Sequence, residues 1–142
     1  MAETISERLR QLVTTRANGR CEYCQSPEAF ATERFSIEHI QPRATGDLTV
    51  AENLALACQG CNGHKAAKTT AVDFETQTSV PLFHPRQHLW QEHFALSADL
   101  LQIVGLTPTG RATIGLLHLN RASLLNLRRA LIAINEYPPH GN

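Results

Sequence analysis

Four cysteines fall in two pairs, Cys21-Glu22-Tyr23-Cys24 and Cys58-Gln59-Gly60-Cys61, with 33 residues between them. Each Cys-x-x-Cys turn lets two sulfurs converge on one ion, so the two turns together offer four soft thiolates to a tetrahedral zinc. The alternatives are four buried free thiols, or one redox pair with two bystanders. Both pairs intact, with no fifth cysteine, favour zinc. A closed four-thiolate site leaves no open coordination position, so it is structural, and any catalysis belongs elsewhere. Glu38-His39 and Asn53 stand between the pairs, and Asn62 follows Cys61 directly. A carboxylate beside an imidazole joins a ligand for a hard cation to a general base that works near neutral pH. Successive strand residues point to opposite faces, so these two share a site only where the backbone turns, and Pro42 can impose such a bend.

These groups need elements to position them. Apolar residues at Ile5, Leu9, Leu12, Val13 and Ala17 predict a helix over 4–17, opened by a Thr4/Glu7 capping box and closed at Asn18-Gly19. Residues 35–40 read as a strand ended by Pro42, residues 43–52 as a surface loop turning at Gly46-Asp47, and 54–58 as the returning strand. A helix is expected from Gln59 to about Thr70. Downstream, the patterns predict a strand at 80–83, a short helix at 84–94 started by Pro85, and a strand at 100–106 ended by a turn at Thr107–Gly110. Two helices are expected at 111–119 and 121–135, and the tail from Tyr137 reads as frayed. The histidines His84, His88 and His93 fit one helical side only loosely, which favours surface or core roles over a second metal site. Trp90 and Phe94, four apart, read as core.

The segments CEYC, IEHIQPR and ENLALACQGCN, with GHK behind them, resemble the four-cysteine branch of the HNH endonuclease family. The resemblance runs from about Arg20 to Lys68. It implies a ββα-metal module, a hairpin and a helix gripping one divalent cation. His39 matches the general base that deprotonates the attacking water, and Glu38 the acidic ligand of the catalytic metal. Asn53 matches the residue that hydrogen-bonds across the loop and holds the hairpin. Asn62 matches the second protein ligand of the cation, a position where many members carry histidine; an amide oxygen there suits magnesium or manganese. Lys65, three residues on, and Arg43 are candidate phosphate contacts, making nucleic acid the implied partner and DNA favoured over RNA. The segments VPLFHPR and TPTGRAT and the intervening Trp-containing stretch resemble the downstream half of small standalone bacterial HNH proteins.

The whole therefore reads as an α+β protein: a ββα-metal module with a structural zinc site, an N-terminal helix and a C-terminal mixed α/β extension. One compact domain is expected over 1–142, with the HNH core at about 18–70 and a packing extension at about 78–137. The hydrophobic fraction of 42% excludes a disordered chain, and no apolar run is long enough to span a membrane. With a charged, amphipathic N-terminal segment rather than an export signal, a reducing, cytoplasmic setting is expected. Thirteen basic and thirteen acidic residues give zero net charge, which argues against a globally basic nucleic-acid binder. The charge is uneven, however. No acid occurs between Leu100 and Asn135, where Arg111, Arg121, Arg128 and Arg129 give a local excess of four. The competing functional reading is a zinc-stapled module that binds nucleic acid without cutting it, and no feature of the sequence fixes an oligomeric state.

Overall fold

The first helix, α1 (Glu7–Arg16), is capped by Ser6, whose hydroxyl oxygen accepts from the Leu9 N–H at 3.1 Å. This is seen in a computed structural model that describes residues 5–42 and 49–139. The expectations for Thr4, Arg43, the Gly46-Asp47 turn and the last three residues fall outside the described residues. Val13 is fully buried on α1, Ile5, Leu9 and Ala17 pack on the core, and Leu12 stays exposed. Asn18 and Gly19 take left-handed conformations (φ 56° and 68°) and turn the chain into the first knuckle.

The strands β1 (Ser36–His39) and β2 (Leu54–Ala57) pair antiparallel, from Ser36 opposite Ala57 to His39 opposite Leu54. All four β2 residues are buried, as their unbroken Leu-Ala run implies, because α1 packs against this strand. Helix α2 (Gln59–Lys65) packs on β1 and completes a ββα unit. It is shorter than expected. Ala66 turns to φ 50°, and Thr70 already opens β3 (Thr70–Asp73), paired with β4 (Thr78–Pro81). Pairing with the next strand in a hairpin takes Thr70–Asp73 out of the helix that the preceding Ala-Lys stretch favours.

The extension departs further from the expected elements. The helix predicted at 84–94 shrinks to one turn, α3 (Trp90–His93). Upstream, the N–H groups of His84 and Arg86 donate to the imidazole Nδ1 atoms of His88 (3.0 Å) and His84 (3.2 Å), so side chains compete for the donors a helix would use. β5 (Phe94–Leu96) pairs with β6 (Ile103–Gly105). Thr107–Gly110 is the start of α4 (Pro108–Leu117): Thr107 accepts from the Gly110 N–H at 3.0 Å, and proline occupies the first turn, where its missing donor is not needed. A Cβ on Gly110 would collide with the His93 carbonyl, so glycine is what permits this helix to lie against α3. The last helix is α5 (Ala122–Ala133). Tyr137, expected in a frayed tail, is instead buried, with the Arg128 guanidinium 6.0 Å from its ring.

Three two-stranded antiparallel sheets and five α-helices thus make an α+β fold among the described residues. One hydrophobic cluster joins Val13, the four cysteines, β2, Phe83, Phe94, Leu117 and Leu124. No described helix is long and apolar enough to cross a membrane.

Candidate active site and metal centre

The four sulfurs of Cys21, Cys24, Cys58 and Cys61 lie within 4.8 Å of one another, and all four side chains are buried. Zinc with sulfur ligands at about 2.3 Å sets the sulfurs about 3.8 Å apart, and Cys24 and Cys58 stand at 3.7 Å. The cluster is consistent with a zinc site. Each knuckle is wound by its own amides: the Cys24 N–H points at Cys21 Sγ and the Cys61 N–H at Cys58 Sγ, both at 3.4 Å. Hydrogen bonds from the other three thiols, Cys21 foremost, hold Cys58 far below the usual thiol range, whereas burial pushes Cys21 up. This favours thiolate, the form that ligates metal, at Cys58. Among the described residues, no other group of three or more His, Cys, Asp or Glu converges in this way.

Glu38 lies beneath the hairpin, packed inward. One carboxylate oxygen, Oε1, accepts from the Tyr23 hydroxyl at 2.5 Å and pairs with Lys65 Nζ at 3.4 Å. The ammonium also donates to the Ile40 carbonyl at 3.1 Å. Both side chains are almost completely enclosed, Lys65 at 2% and Glu38 at 4% exposure. The other carboxylate oxygen, Oε2, is buried and has no hydrogen-bond partner. Burial raises the Glu38 pKa, opposed by the Lys65 charge and the Tyr23 hydroxyl. The same burial, with the Glu38 charge behind it, drives the Tyr23 phenol well above its ordinary value.

These positions correct the reading of Lys65 as a phosphate contact. Its spacing from Asn62 does put it on the β1-facing side of α2, but that side is interior. Arg43 lies outside the described residues. Asn62 is half-buried and donates through Nδ2 to Ser36 Oγ at 3.4 Å, which leaves its amide oxygen out of that bond. His39 is half-buried with Nε2 2.8 Å from Thr49 Oγ1. The regular register of β1 sends Glu38 and His39 to different neighbours, so the structure gathers Glu38, Lys65 and Tyr23 while His39 faces the loop. Asn53 joins the two ends of that loop: its Oδ1 accepts from the Gln41 N–H at 2.9 Å, and its Nδ2 donates to the Gln41 carbonyl at 3.1 Å. Its own carbonyl takes the Ile40 N–H at 2.8 Å.

The arginine-rich C-terminal half does not form a basic face. Arg111 grips Asp73 with two bonds of 3.0 Å, Arg128 is buried on the Leu101 and Leu119 carbonyls and Asn120, and Arg121 turns toward the cysteines. Arg111 and Arg121 are half-buried, and Arg129 is the exposed one, bonded to Asn126. The three histidines do approach one another, His88 lying 4.8 Å from His93 and 6.3 Å from His84 between ring centres. Their Nδ1 atoms are engaged by backbone amides or Thr107, which suits packing around Phe83. Trp90 stacks 5.0 Å from Phe94 and donates to the Tyr23 carbonyl at 3.0 Å. Sequence reasoning passed over Tyr23 and Arg121. The first is legible only as an aromatic inside a knuckle, and the second, sixty residues from Cys61, carries no local signal.

The profile of the HNH endonuclease family matches residues 21–68. The segment begins at the first knuckle, contains the hairpin and α2, and ends just beyond Lys65. No curated protein and no solved structure matches the chain.

Proposed function

We propose that this protein is a metal-dependent endonuclease that hydrolyses phosphodiester bonds in nucleic acid, DNA in preference to RNA, in a reducing compartment. The observation that carries the reading is the buried, unpartnered Oε2 of Glu38 inside an HNH segment. A carboxylate with one oxygen fixed by Tyr23 and Lys65 and the other unsatisfied fits a divalent cation, because a buried polar atom without a partner is costly. Glu38 and the amide oxygen of Asn62 would hold magnesium or manganese, which when bound neutralises charge developing on the phosphate and leaving oxygens. His39 takes the proton of the attacking water at an imidazole nitrogen. Asn53 fixes the loop that faces His39. Arg43 contacts the phosphate backbone, and zinc on the four cysteines supports the hairpin and α2.

The test is nicking of supercoiled plasmid with magnesium or manganese, beside His39→Ala and Glu38→Gln, and extended to RNA and single strands. Metal-dependent nicking lost in both variants is the expected result. Absent nicking, or equal nicking in wild type and His39→Ala, overturns the catalytic assignment. Lys65 gives a second reading some ground, since its ammonium already faces the Glu38 carboxylate. On that reading the protein binds nucleic acid without cutting it, and tight binding with no cleavage across a panel of divalent ions would identify it.

A further inference from the structure

The Arg121 guanidinium lies over the four-cysteine cluster. Nη2 is 3.7 Å from Cys58 Sγ and 3.9 Å from Cys61 Sγ, and Nη1 is 3.8 Å from Cys61 Sγ. The same group donates to the Leu117 and His118 carbonyls at 3.0 and 3.1 Å, which holds it in place at the α4–α5 corner. No carboxylate pairs with it among the described residues. Of the two residues between the second pair of cysteines, Gly60 is the one at which a Cβ would run into the guanidinium. Glycine in this knuckle is therefore what lets the arginine reach the sulfurs. Cys24, on the other knuckle, has a neutral neighbour instead, the Ser26 hydroxyl at 2.9 Å.

We propose that Arg121 is an outer-sphere cation of the metal centre, donating N–H bonds to the thiolates of Cys58 and Cys61 and suppressing their reactivity. Four thiolates around a divalent ion carry a net charge of minus two, buried in an apolar cluster. A guanidinium removes half of that excess, and its N–H groups draw electron density from the sulfurs they meet. The C-terminal half thus completes a site whose ligands all come from the HNH segment. The two knuckles are unequal: Cys21 and Cys24, without the cation, are the more nucleophilic pair.

The test compares wild type with Arg121→Gln, Arg121→Lys and Gly60→Ala, each loaded with cobalt(II) and with zinc. Loss of the donor in Arg121→Gln raises electron density on sulfur and moves the sulfur-to-cobalt charge-transfer bands to longer wavelength. Metal release by iodoacetamide, in which each attack forms one S–C bond and expels iodide, should accelerate roughly tenfold, the factor that one lost charge-assisted hydrogen bond carries. Peptide mapping should place the added alkylation on Cys58 and Cys61, and lysine should restore part of the protection. A role confined to capping α4 lowers the melting temperature without moving the bands. Unchanged bands and alkylation rates in Arg121→Gln overturn the proposal. Should that variant fail to fold, Gly60→Ala displaces the guanidinium by its Cβ, and unchanged bands there overturn it equally.

Discussion

Replacing Lys65 with methionine tests the interior of the candidate site most directly. The side chain is of similar length, so packing is largely kept while the charge disappears. In wild type the ammonium stands 3.4 Å from Glu38 Oε1, with both groups enclosed. At an effective dielectric of about 20 this separation corresponds to an attraction of about 5 kcal/mol. Breaking a buried pair by removing one partner typically costs about 3–5 kcal/mol, because the remaining charge is left unpaired. In a chain of this size that is a fall of roughly 10–15 °C in melting temperature, at about 3 °C per kcal/mol. The pH dependence has a definite sign. Glu38 already has a raised pKa in the folded protein, so its charged form opposes folding. Stability from the neutral form is fully present below the ordinary carboxyl pKa and is lost as pH rises through the folded value. Without Lys65 that folded value rises further. The deficit of Lys65→Met is therefore largest near neutrality and shrinks as the pH falls toward the ordinary carboxyl range. Urea and thermal melts at pH 7 and pH 5, with Glu38→Gln and the double variant completing a cycle, read out both effects. A loss below about 1 kcal/mol, the ceiling for an exposed pair, would show that the pair is not buried in solution and refute the reasoning.

Two further perturbations address the loop and the metal centre. Asn53→Ala removes both side-chain bonds to Gln41, so a loss of about 1–3 kcal/mol is expected in urea melts, with faster hydrogen exchange at the Gln41 amide; unchanged exchange there would show that Asn53 does not hold the loop. Stripping metal with a chelator and a thiol-specific mercurial should abolish the near-ultraviolet circular dichroism of Tyr23 and Trp90 and lower the melting temperature, since metal binding here is part of the folding free energy. Elemental analysis should give one zinc per chain, and a stripped protein that melts unchanged would contradict the structural role.

The parts of the fold legible in the sequence were those in which local pattern and tertiary need agree. The α1 stripe, the β1–β2 hairpin and both knuckles are of this kind. The β3–β4 hairpin was not, because Thr70–Asp73 is a strand only by virtue of its partner at Thr78–Pro81. The Thr107-Pro108-Thr109-Gly110 segment was misread as a turn because its capping and turn chemistries use the same residues. In the site, residue types were legible and directions were not. Lys65 reads as a phosphate contact and the C-terminal arginines as a local basic excess, yet Glu38, Asp73, backbone carbonyls and thiolates take up their charge. A spacing rule places a residue on a helix face, but only packing decides whether that face meets solvent.

The metal centre and the candidate active site share covalent neighbours. Tyr23 lies between Cys21 and Cys24, and its hydroxyl holds Glu38; Asn62 directly follows Cys61. Both proposed cation ligands are thus positioned within one residue or one hydrogen bond of the thiolate cluster. Tyr23→Phe separates this positioning from packing. The ring keeps its edge contact with Phe83, 6.3 Å away, and the Trp90 bond goes to the Tyr23 carbonyl, which the change leaves in place. Only the donor to Glu38 is lost, with an expected cost of about 1.5–3 kcal/mol for a hydrogen bond to a charged group. The zinc content should stay at the wild-type value, whereas the manganese concentration giving half-maximal nicking should rise, because Glu38 is no longer oriented by two partners. Loss of zinc in Tyr23→Phe would mean that the tyrosine supports the knuckle rather than the carboxylate. An unchanged manganese dependence would mean that Glu38 is positioned by Lys65 alone, and the link from the structural metal to the catalytic one would then fail at this residue.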